Sequence, residues 1–124
     1  MKKISIIIVI VLAVLAIFWA TRPVSQEKSL KIATEWIKTS SPTYVFDGSN
    51  LQEKNTIKDD IGSCKDCFVH VFTFDTTSSG YGNRSGTTTN SVITPHIMVV
   101  KTNSGDVIEA ITDGYFDELN NRQI

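Results

Sequence analysis

The hydrophobic positions divide the chain into one continuous apolar segment and a longer part with periodic patterns. Between Ile4 and Ala20, 16 of 17 residues are apolar. Seventeen helical residues rise about 25 Å, which is the short end of a membrane span, and Trp19 lies where interfacial aromatic residues are common. The segment is longer than a signal-peptide core, and cleavage after Ala20 would place the bulky aromatic Phe18 at position −3, where a small residue is expected. We therefore predict an uncleaved signal anchor over residues 1–20 and a linker over 21–24.

Basic residues on either side of the apolar segment predict its orientation. Lys2, Lys3 and the α-amino group precede it, and only Arg22 follows closely. Because positive charge is retained on the cytoplasmic side, the N-terminus is expected in the cytoplasm. Residues 25–124 are then expected to form a single extracytoplasmic domain.

The first periodic pattern after the linker is typical of an amphipathic helix. Leu30, Ala33 and Ile37 recur at helical spacing, and Ser25 precedes them as a candidate N-cap. Pro42 ends the pattern. The sequence predicts a helix of about fourteen residues.

Beyond Pro42 the apolar residues alternate with a period of two, as in β-strands. Pro95 cannot donate a ladder hydrogen bond and indicates a bulge or a sheet edge. The expected elements are a short extended piece at Tyr44–Phe46, strands at Leu51–Lys58, Phe68–Phe74, Ser91–Thr102 and Val107–Thr112, and a helical turn at Tyr115–Leu119. The predicted fold is α+β: an N-terminal helix packed on an antiparallel sheet of about four strands, in a cystatin-like or PepSY-like order, behind a single transmembrane helix.

Composition and charge exclude several classes of protein. From Thr21 onward only 34 of 104 residues are apolar, and without Lys2 and Lys3 ten basic side chains face thirteen acidic ones. A multi-domain enzyme, a polytopic membrane protein and a strongly basic nucleic-acid binder do not fit these values. No nucleic acid is expected as a partner.

The two cysteines form a Cys64-Lys-Asp-Cys67 motif that precedes a predicted strand. A short disulfide in an oxidising compartment is the favoured interpretation. A zinc site would need His70 and His96 as further ligands, and a thioredoxin-type role would need a following helix. We predict no metal and no cofactor.

The segment between Asp75 and Asn90 is longer than most hairpin loops and contains three glycines, Tyr81 and Arg84. Loops of this length are usually functional or disordered. Tyr81 offers a stacking face and Arg84 a fork for carboxylate or phosphate. Alternatively, Tyr81 packs back on the sheet and Arg84 pairs with Asp75. Asn83 begins an Asn-Arg-Ser glycosylation sequon, which matters only in a host that glycosylates extracytoplasmic asparagines.

Three further residues are candidates for the same site: His96, Asp113 and Asp117. A histidine beside a bulge can be a ligand or a base, but more often it is a structural residue. The acidic residues near the C-terminus lack the alternating ligands of a calcium loop, which favours capping of a turn. No nucleophile elbow is present, and no catalytic residue is predicted.

Four strings along the predicted domain resemble a family of small extracytoplasmic proteins of archaea and some bacteria. They are Ser41-Pro-Thr-Tyr-Val-Phe-Asp-Gly48, Gly80-Tyr-Gly-Asn-Arg-Ser-Gly86, Ile93-Thr-Pro-His96 and Asp113-Gly-Tyr-Phe-Asp-Glu118. The resemblance implies a domain behind a membrane anchor or lipoprotein signal, with no established activity. It also implies that the Tyr81/Arg84 loop, His96 and the Asp113–Asp117 segment belong to one recurring pattern. Ser79 stands where related sequences often have a histidine.

The favoured function is a non-enzymatic binding module that contacts a protein, peptide or envelope component through the loop over residues 76–90. A purely structural envelope-assembly domain is the first alternative, and a redox or metal-binding protein that uses Cys64 and Cys67 is the second.

Overall fold

The structure is a computed structural model that describes residues 2–20, 22–59, 64 and 66–124, with only the backbone of Lys2 and Lys3 described. These residues form helices α1 (Lys2–Ala20), α2 (Gln26–Ser40) and α3 (Pro42–Asp47), and strands β1 (Gly48–Asp59), β2 (Cys67–Thr76), β3 (Thr94–Asn103), β4 (Asp106–Thr112), β5 (Phe116–Asp117) and β6 (Arg122–Gln123). Between the expected strands Leu51–Lys58 and Phe68–Phe74 the sequence also predicts a loop at 59–63, which falls mostly outside the described residues.

The apolar segment at the N-terminus is helical, as α1, and its described side chains are exposed along its length. Arg22 lies over the Trp19 ring, with its guanidinium carbon 4.0 Å from the ring centroid. Within the described part of the chain, no helix has the combination of length and apolarity that crossing a membrane requires.

Helix α2 confirms the predicted amphipathic helix. The Ser25 hydroxyl accepts a hydrogen bond from the backbone N–H of Lys28 at 3.2 Å, so the expected N-cap is present. Ala33 and Ile37 are fully buried against the sheet. The helix ends at Ser40, two residues before Pro42.

The extended piece predicted at Tyr44–Phe46 is wrong, because these residues lie in helix α3. Ser41 caps this helix through a 3.4 Å hydrogen bond from the Tyr44 N–H. Pro42 occupies the first helical position, where its missing N–H costs nothing and its fixed φ favours the helix. The capping serine and the proline thus override the strand preference of the three residues that follow.

The strands form one antiparallel sheet in the order β1-β2-β3-β4-β5-β6, which confirms the α+β class. The described residues contain six strands rather than about four. The helical turn predicted at Tyr115–Leu119 is wrong, since Phe116–Asp117 is strand β5. The short sequence Asn103-Ser-Gly-Asp106 between the expected strands also predicts a hairpin turn, and the structure confirms it, with φ of 50° at Ser104 and 88° at Gly105.

The two faces of the sheet differ in what covers them. On one face Phe72, Phe74, Met98 and Val100 pack with Ala110 against α2 and form the core. Because side chains alternate along a strand, the residues between them project from the opposite face, which no described helix covers. We call this opposite face the helix-free face.

Pro95 lies in the part of β3 that pairs with β2 alone. It stands opposite Asp75 of β2, whereas the pairing of β3 with β4 begins only at Met98. The predicted sheet-edge position of Pro95 is therefore confirmed. The start of β3 is left open on the side away from β2.

Candidate functional site

The long loop joins β2 to β3 and is ordered by its own hydrogen bonds. The Ser79 N–H donates to the Asn90 carbonyl at 3.1 Å, and the Thr87 N–H donates to the Arg84 carbonyl at 3.1 Å. Gly80, Gly82 and Gly86 have φ of 96°, 67° and 77°, which are values that side-chain-bearing residues rarely adopt. Glycine therefore suits all three positions of the loop backbone.

Arg84 points into the protein and is only 5% exposed. Its guanidinium forms an ion pair with Asp47 at the end of α3. It also donates to the Gly82 carbonyl at 2.8 Å and to the Gly80 carbonyl at 3.3 Å. The guanidinium carbon lies 4.6 Å from the centroid of the Phe46 ring. The fork predicted for an external ligand is thus occupied by groups of the chain itself.

Asp47 binds the loop from a second side. Its Oδ2 accepts hydrogen bonds from the Ser78 N–H at 3.0 Å, the Ser78 hydroxyl at 2.6 Å and the Thr77 hydroxyl at 3.1 Å. We call this set of contacts around Arg84 and Asp47 the clasp. The pairing of Arg84 with Asp75 expected above is wrong, since the Asp75 carboxylate accepts instead from the Asn50 amide at 3.2 Å.

Tyr81 packs back on the sheet, as the alternative interpretation of the loop expected. Its ring stacks on Phe116 with centroids 5.5 Å apart and an interplanar angle of 13°, and it also contacts the rings of His96 and Tyr115. Its hydroxyl donates to Asp113 Oδ2 at 3.0 Å. Burial, together with the hydrogen bond and negative charge of Asp113, raises the pKa of Tyr81 to about 12.

Asp113 connects Tyr81 to His96. The same Oδ2 lies 2.7 Å from His96 Nδ1, while Oδ1 accepts from the Ile97 N–H at 2.8 Å. Asp113 has a φ of 54°, the left-handed conformation that aspartate tolerates better than most residues. On its other side, His96 Nε2 lies 3.0 Å from the Thr76 hydroxyl.

Thr76, His96 and Asp113 are hydrogen-bonded in the order of a hydrolytic triad. Unlike the residues of such a triad, however, Thr76 and His96 are not accessible to a substrate. Thr76 is 1% exposed and His96 is 3% exposed. The Thr76 hydroxyl donates to the Ser78 carbonyl at 2.8 Å. A nucleophile has to reach a substrate carbonyl, and this hydroxyl is enclosed by the loop. The arrangement therefore joins the loop to the sheet and exposes no reacting group.

An open groove of about 480 Å³ lies beside this network. Its lining is formed by Asn50, Thr73, Phe74, Asp75, Pro95, His96, Ile97 and Asp113. Ile97 is 54% exposed and Pro95 is also exposed, so the groove presents apolar surface between two carboxylates. Three predicted site residues, Asp75, His96 and Asp113, are thereby brought together.

Two other predicted residues lie apart from the groove lining. The Asp117 carboxylate accepts from the Asn120 side chain at 2.7 Å and from two backbone N–H groups of the same turn. The Asn120 amide lowers the pKa of Asp117. Asp117 thus orders the turn that follows β5, whereas the sequence favoured capping of a final helical turn, and Phe116–Asp117 is a strand instead. Asn83 is exposed on the loop, where its Oδ1 accepts from the N–H and the hydroxyl of Ser85.

Cys64 and Cys67 form a disulfide with their Cα atoms 5.6 Å apart, as predicted. His70 and His96, the other residues considered for zinc, have hydroxyl or carboxylate partners on both ring nitrogens. The described residues contain no group of three or more histidine, cysteine or acidic side chains arranged for a metal ion.

Sequence reasoning missed the role of Glu118, a buried carboxylate that is 2% exposed. It accepts from the Ser41 hydroxyl at 3.0 Å, the Thr43 N–H at 3.1 Å and the Thr112 hydroxyl at 2.6 Å. The Thr43 hydroxyl accepts in turn from the Gly82 N–H at 2.8 Å. Glu118 therefore links α3, β4 and the loop. In the sequence it is one of three acidic residues in the segment 113–118, so its charge alone did not distinguish it.

A second missed group is a buried chain of polar side chains through His70. Thr56 donates to Glu53, so its oxygen is free to accept from His70 Nδ1 at 2.8 Å. His70 Nε2 then accepts from the Ser29 hydroxyl at 2.7 Å, and Ser29 accepts from Thr102 at 2.6 Å. The chain crosses the sheet and reaches α2. Burial of His70 lowers its pKa, although the negative charge of Glu53 opposes this effect.

No protein-family model matches the chain, and neither the curated proteins nor the solved structures contain a significant match.

Proposed function

We propose that the chain is a membrane-tethered, extracytoplasmic and non-enzymatic binding module whose contact surface is the groove between Asp75 and Asp113. The observation that carries the proposal is the composition of this groove, in which exposed Pro95 and Ile97 lie between two carboxylates. Apolar surface flanked by a few placed polar groups is the usual character of a recognition site. The loop that the sequence favoured as the contact surface acts in this proposal as the support of the groove.

The tether is proposed from the sequence and from the exposure of α1. The apolar side chains of residues 4–20 are exposed, and α1 packs on no other described helix or strand. Seventeen residues would span about 25 Å, close to the thickness of a hydrocarbon core. Lys2 and Lys3 on one side and Arg22 on the other favour a cytoplasmic N-terminus.

The charges of the groove favour a partner that carries a basic side chain beside an apolar one. Among the described residues, no lysine, arginine or histidine forms an ion pair with Asp75, whose carboxylate accepts a hydrogen bond from the Asn50 amide. Asp113 is shared with His96 and Tyr81, and its side chain is 29% exposed. A basic side chain of a protein or peptide partner would gain Coulomb attraction here, and its apolar neighbour would cover Ile97. Phosphate-bearing partners are disfavoured by the same charges.

The experiment uses the full chain with a photo-crosslinking residue placed at Ile97, in its native membrane. A crosslinker at Ile108 is the matched control, because Ile108 is an isoleucine of the same sheet that is 46% exposed and lies away from the groove. We expect a discrete product from position 97 that disappears when Asp75→Asn is added. Equal products from both positions, or a product insensitive to Asp75→Asn, would contradict the proposal.

The alternative of a structural envelope-assembly domain is favoured by one observation, the inward orientation of Arg84 and Tyr81. Under this alternative the groove is incidental and Asp75→Asn changes nothing in the envelope. The double variant Ile97→Lys with Asp75→Asn distinguishes the two functions. It should abolish partner crosslinking in a binding module, while a domain with only a structural role should assemble as before.

A further inference from the structure

We infer that Asn83 is the acceptor of an N-linked glycan that is attached before the clasp closes. The inference rests on the extracytoplasmic location proposed above. Asn83-Arg84-Ser85 satisfies the Asn-X-Ser acceptor pattern, and Arg84 is not a proline. The structure also shows that Asn83 is exposed and that its side chain contacts Ser85 of the same pattern.

The exposed side chain of Asn83 makes its hydrogen bonds through its oxygen rather than through its reacting nitrogen. Asn83 is exposed, and its Oδ1 accepts from the Ser85 N–H at 2.9 Å and from the Ser85 hydroxyl at 2.6 Å. Both bonds use the oxygen. No described residue hydrogen-bonds Nδ2, which is the atom that a glycan would occupy. The hydroxyl required two positions later is already in contact with the acceptor amide.

The surroundings of Asn83 leave room for a bulky group. Ser85, Gly86 and Thr87 are all exposed, and a Cβ placed on Gly86 would meet nothing within 4 Å. A glycan is large and strongly hydrated, so it needs an exposed attachment point that does not interrupt core packing. A glycan at this point would cover the exposed tip of the loop and leave the core unchanged.

The co-substrate would be a glycan linked through phosphate to a membrane lipid. In the transfer, Asn83 Nδ2 forms a bond to the anomeric carbon of the first sugar. The bond from that carbon to the lipid phosphate oxygen breaks, and the phosphate leaves with the electron pair. One amide proton passes to a base of the transferase. No oxidant or reductant is needed.

The position of Arg84 determines when the transfer has to occur. A transferase must hold the Asn83 amide and the Ser85 hydroxyl together, yet Arg84 between them is 5% exposed and paired with Asp47. The folded loop therefore cannot extend into an enzyme cleft without breaking the clasp. Attachment during or soon after translocation avoids this barrier.

The first experiment measures the intact mass and the glycopeptides of the full chain purified from its own membranes. We expect wild type and Ser85→Thr to carry a glycan on the Asn83 peptide, and Ser85→Ala to carry none. Asn83→Asp is the matched control, because it keeps an acceptor oxygen for Ser85 and removes the nitrogen. A wild-type mass equal to that of the bare polypeptide would overturn the inference.

The second experiment tests the timing with purified, folded full chain, a transferase and a lipid-linked glycan. Asp47→Ala opens the clasp from outside the sequon and should increase glycan occupancy severalfold over wild type. Equal occupancy of the two proteins would refute the timing.

Protease protection in sealed, right-side-out vesicles separates the glycan inference from the proposed extracytoplasmic location. An accessible domain with a bare Asn83 overturns only the glycan inference, whereas a protected domain overturns the proposed location as well.

Discussion

Removal of the Arg84 guanidinium is expected to destabilise the domain by about 3 kcal/mol, because a buried charge would lose its partner. The Arg84 side chain is 4% exposed and that of Asp47 is 11% exposed. Breaking a buried ion pair from one side costs about 3–5 kcal/mol. Arg84→Met keeps most of the aliphatic volume and deletes the charge. Asp47 would retain its hydrogen bonds from Ser78 and Thr77, which favours the lower end of this range.

The assay is thermal and urea unfolding of the full chain in detergent, monitored by far-ultraviolet circular dichroism. For a domain of about 100 residues, a loss of about 3 kcal/mol corresponds to a decrease in Tm of roughly 12–24 °C. Lys101→Met is the matched control. It removes a cation paired with Asp59 at 2.7 Å, but the Lys101 side chain is 32% exposed. An exposed pair of this kind is worth about 0–1 kcal/mol.

Two results would refute the reasoning. One is a decrease in the free energy of unfolding for Arg84→Met that is no larger than the decrease for Lys101→Met. This result would mean that the clasp is solvated in solution. The other comes from the double variant Arg84→Met with Asp47→Leu. Because this variant removes the carboxylate that Arg84→Met leaves unpaired, it should recover part of the lost free energy of unfolding. If the effects of the two single variants simply add, Arg84 and Asp47 are not energetically coupled.

Three further perturbations test other parts of the structure. Because the folded pKa of His70 is lowered from 6.5, the free energy of unfolding should fall as pH decreases below about 6.5, and His70→Gln should remove this dependence of urea midpoints on pH. The phenol of Tyr81 should titrate near pH 12 by ultraviolet absorbance, and Asp113→Asn should lower its pKa; a titration near 10 in wild type would contradict the packing. Because the raised pKa disfavours ionisation in the folded state, this contribution to stability should be lost between pH 10 and about 12. Gly82→Ala should cost about 1–3 kcal/mol through its φ of 67°, whereas an unchanged urea midpoint would show that the loop relaxes.

The elements with long periodic patterns could be predicted from the sequence, and the short ones could not. Helix α2 and strands β2 to β4 contain seven or more residues each, which is enough for a period to be recognised. Strands β5 and β6 have two residues each, so no period exists to detect. Helix α3 was missed because aromatic and β-branched residues favour a strand, although Ser41 and Pro42 form a start signal for a helix.

The sequence identified most residues of the candidate site but not the residues with which they form hydrogen bonds and ion pairs. Tyr81, Arg84, His96 and Asp113 were all selected from their chemistry, and each takes part in the contacts around the loop. The partner of Arg84 could not be found, since Asp47 lies 37 residues away in sequence and has only the local signature of a turn. Such pairings depend on the approach of α3 to the end of β2, and this approach follows from tertiary packing rather than from any local pattern.

The distribution of buried polar groups indicates which face of the sheet is free for recognition. Ten polar or charged residues and ten apolar ones are buried in the described part of the chain, and no buried side-chain nitrogen or oxygen there lacks a partner. These polar groups connect α2, α3 and the loop to one face of the sheet, and their hydrogen-bonding atoms all have partners within the domain. The helix-free face bears exposed apolar residues such as Ile97 and Ile57, each 54% exposed. This exposed apolar surface lies beside Asp75, which has no cationic partner among the described residues, and for that reason we propose that the groove rather than the loop is the recognition surface.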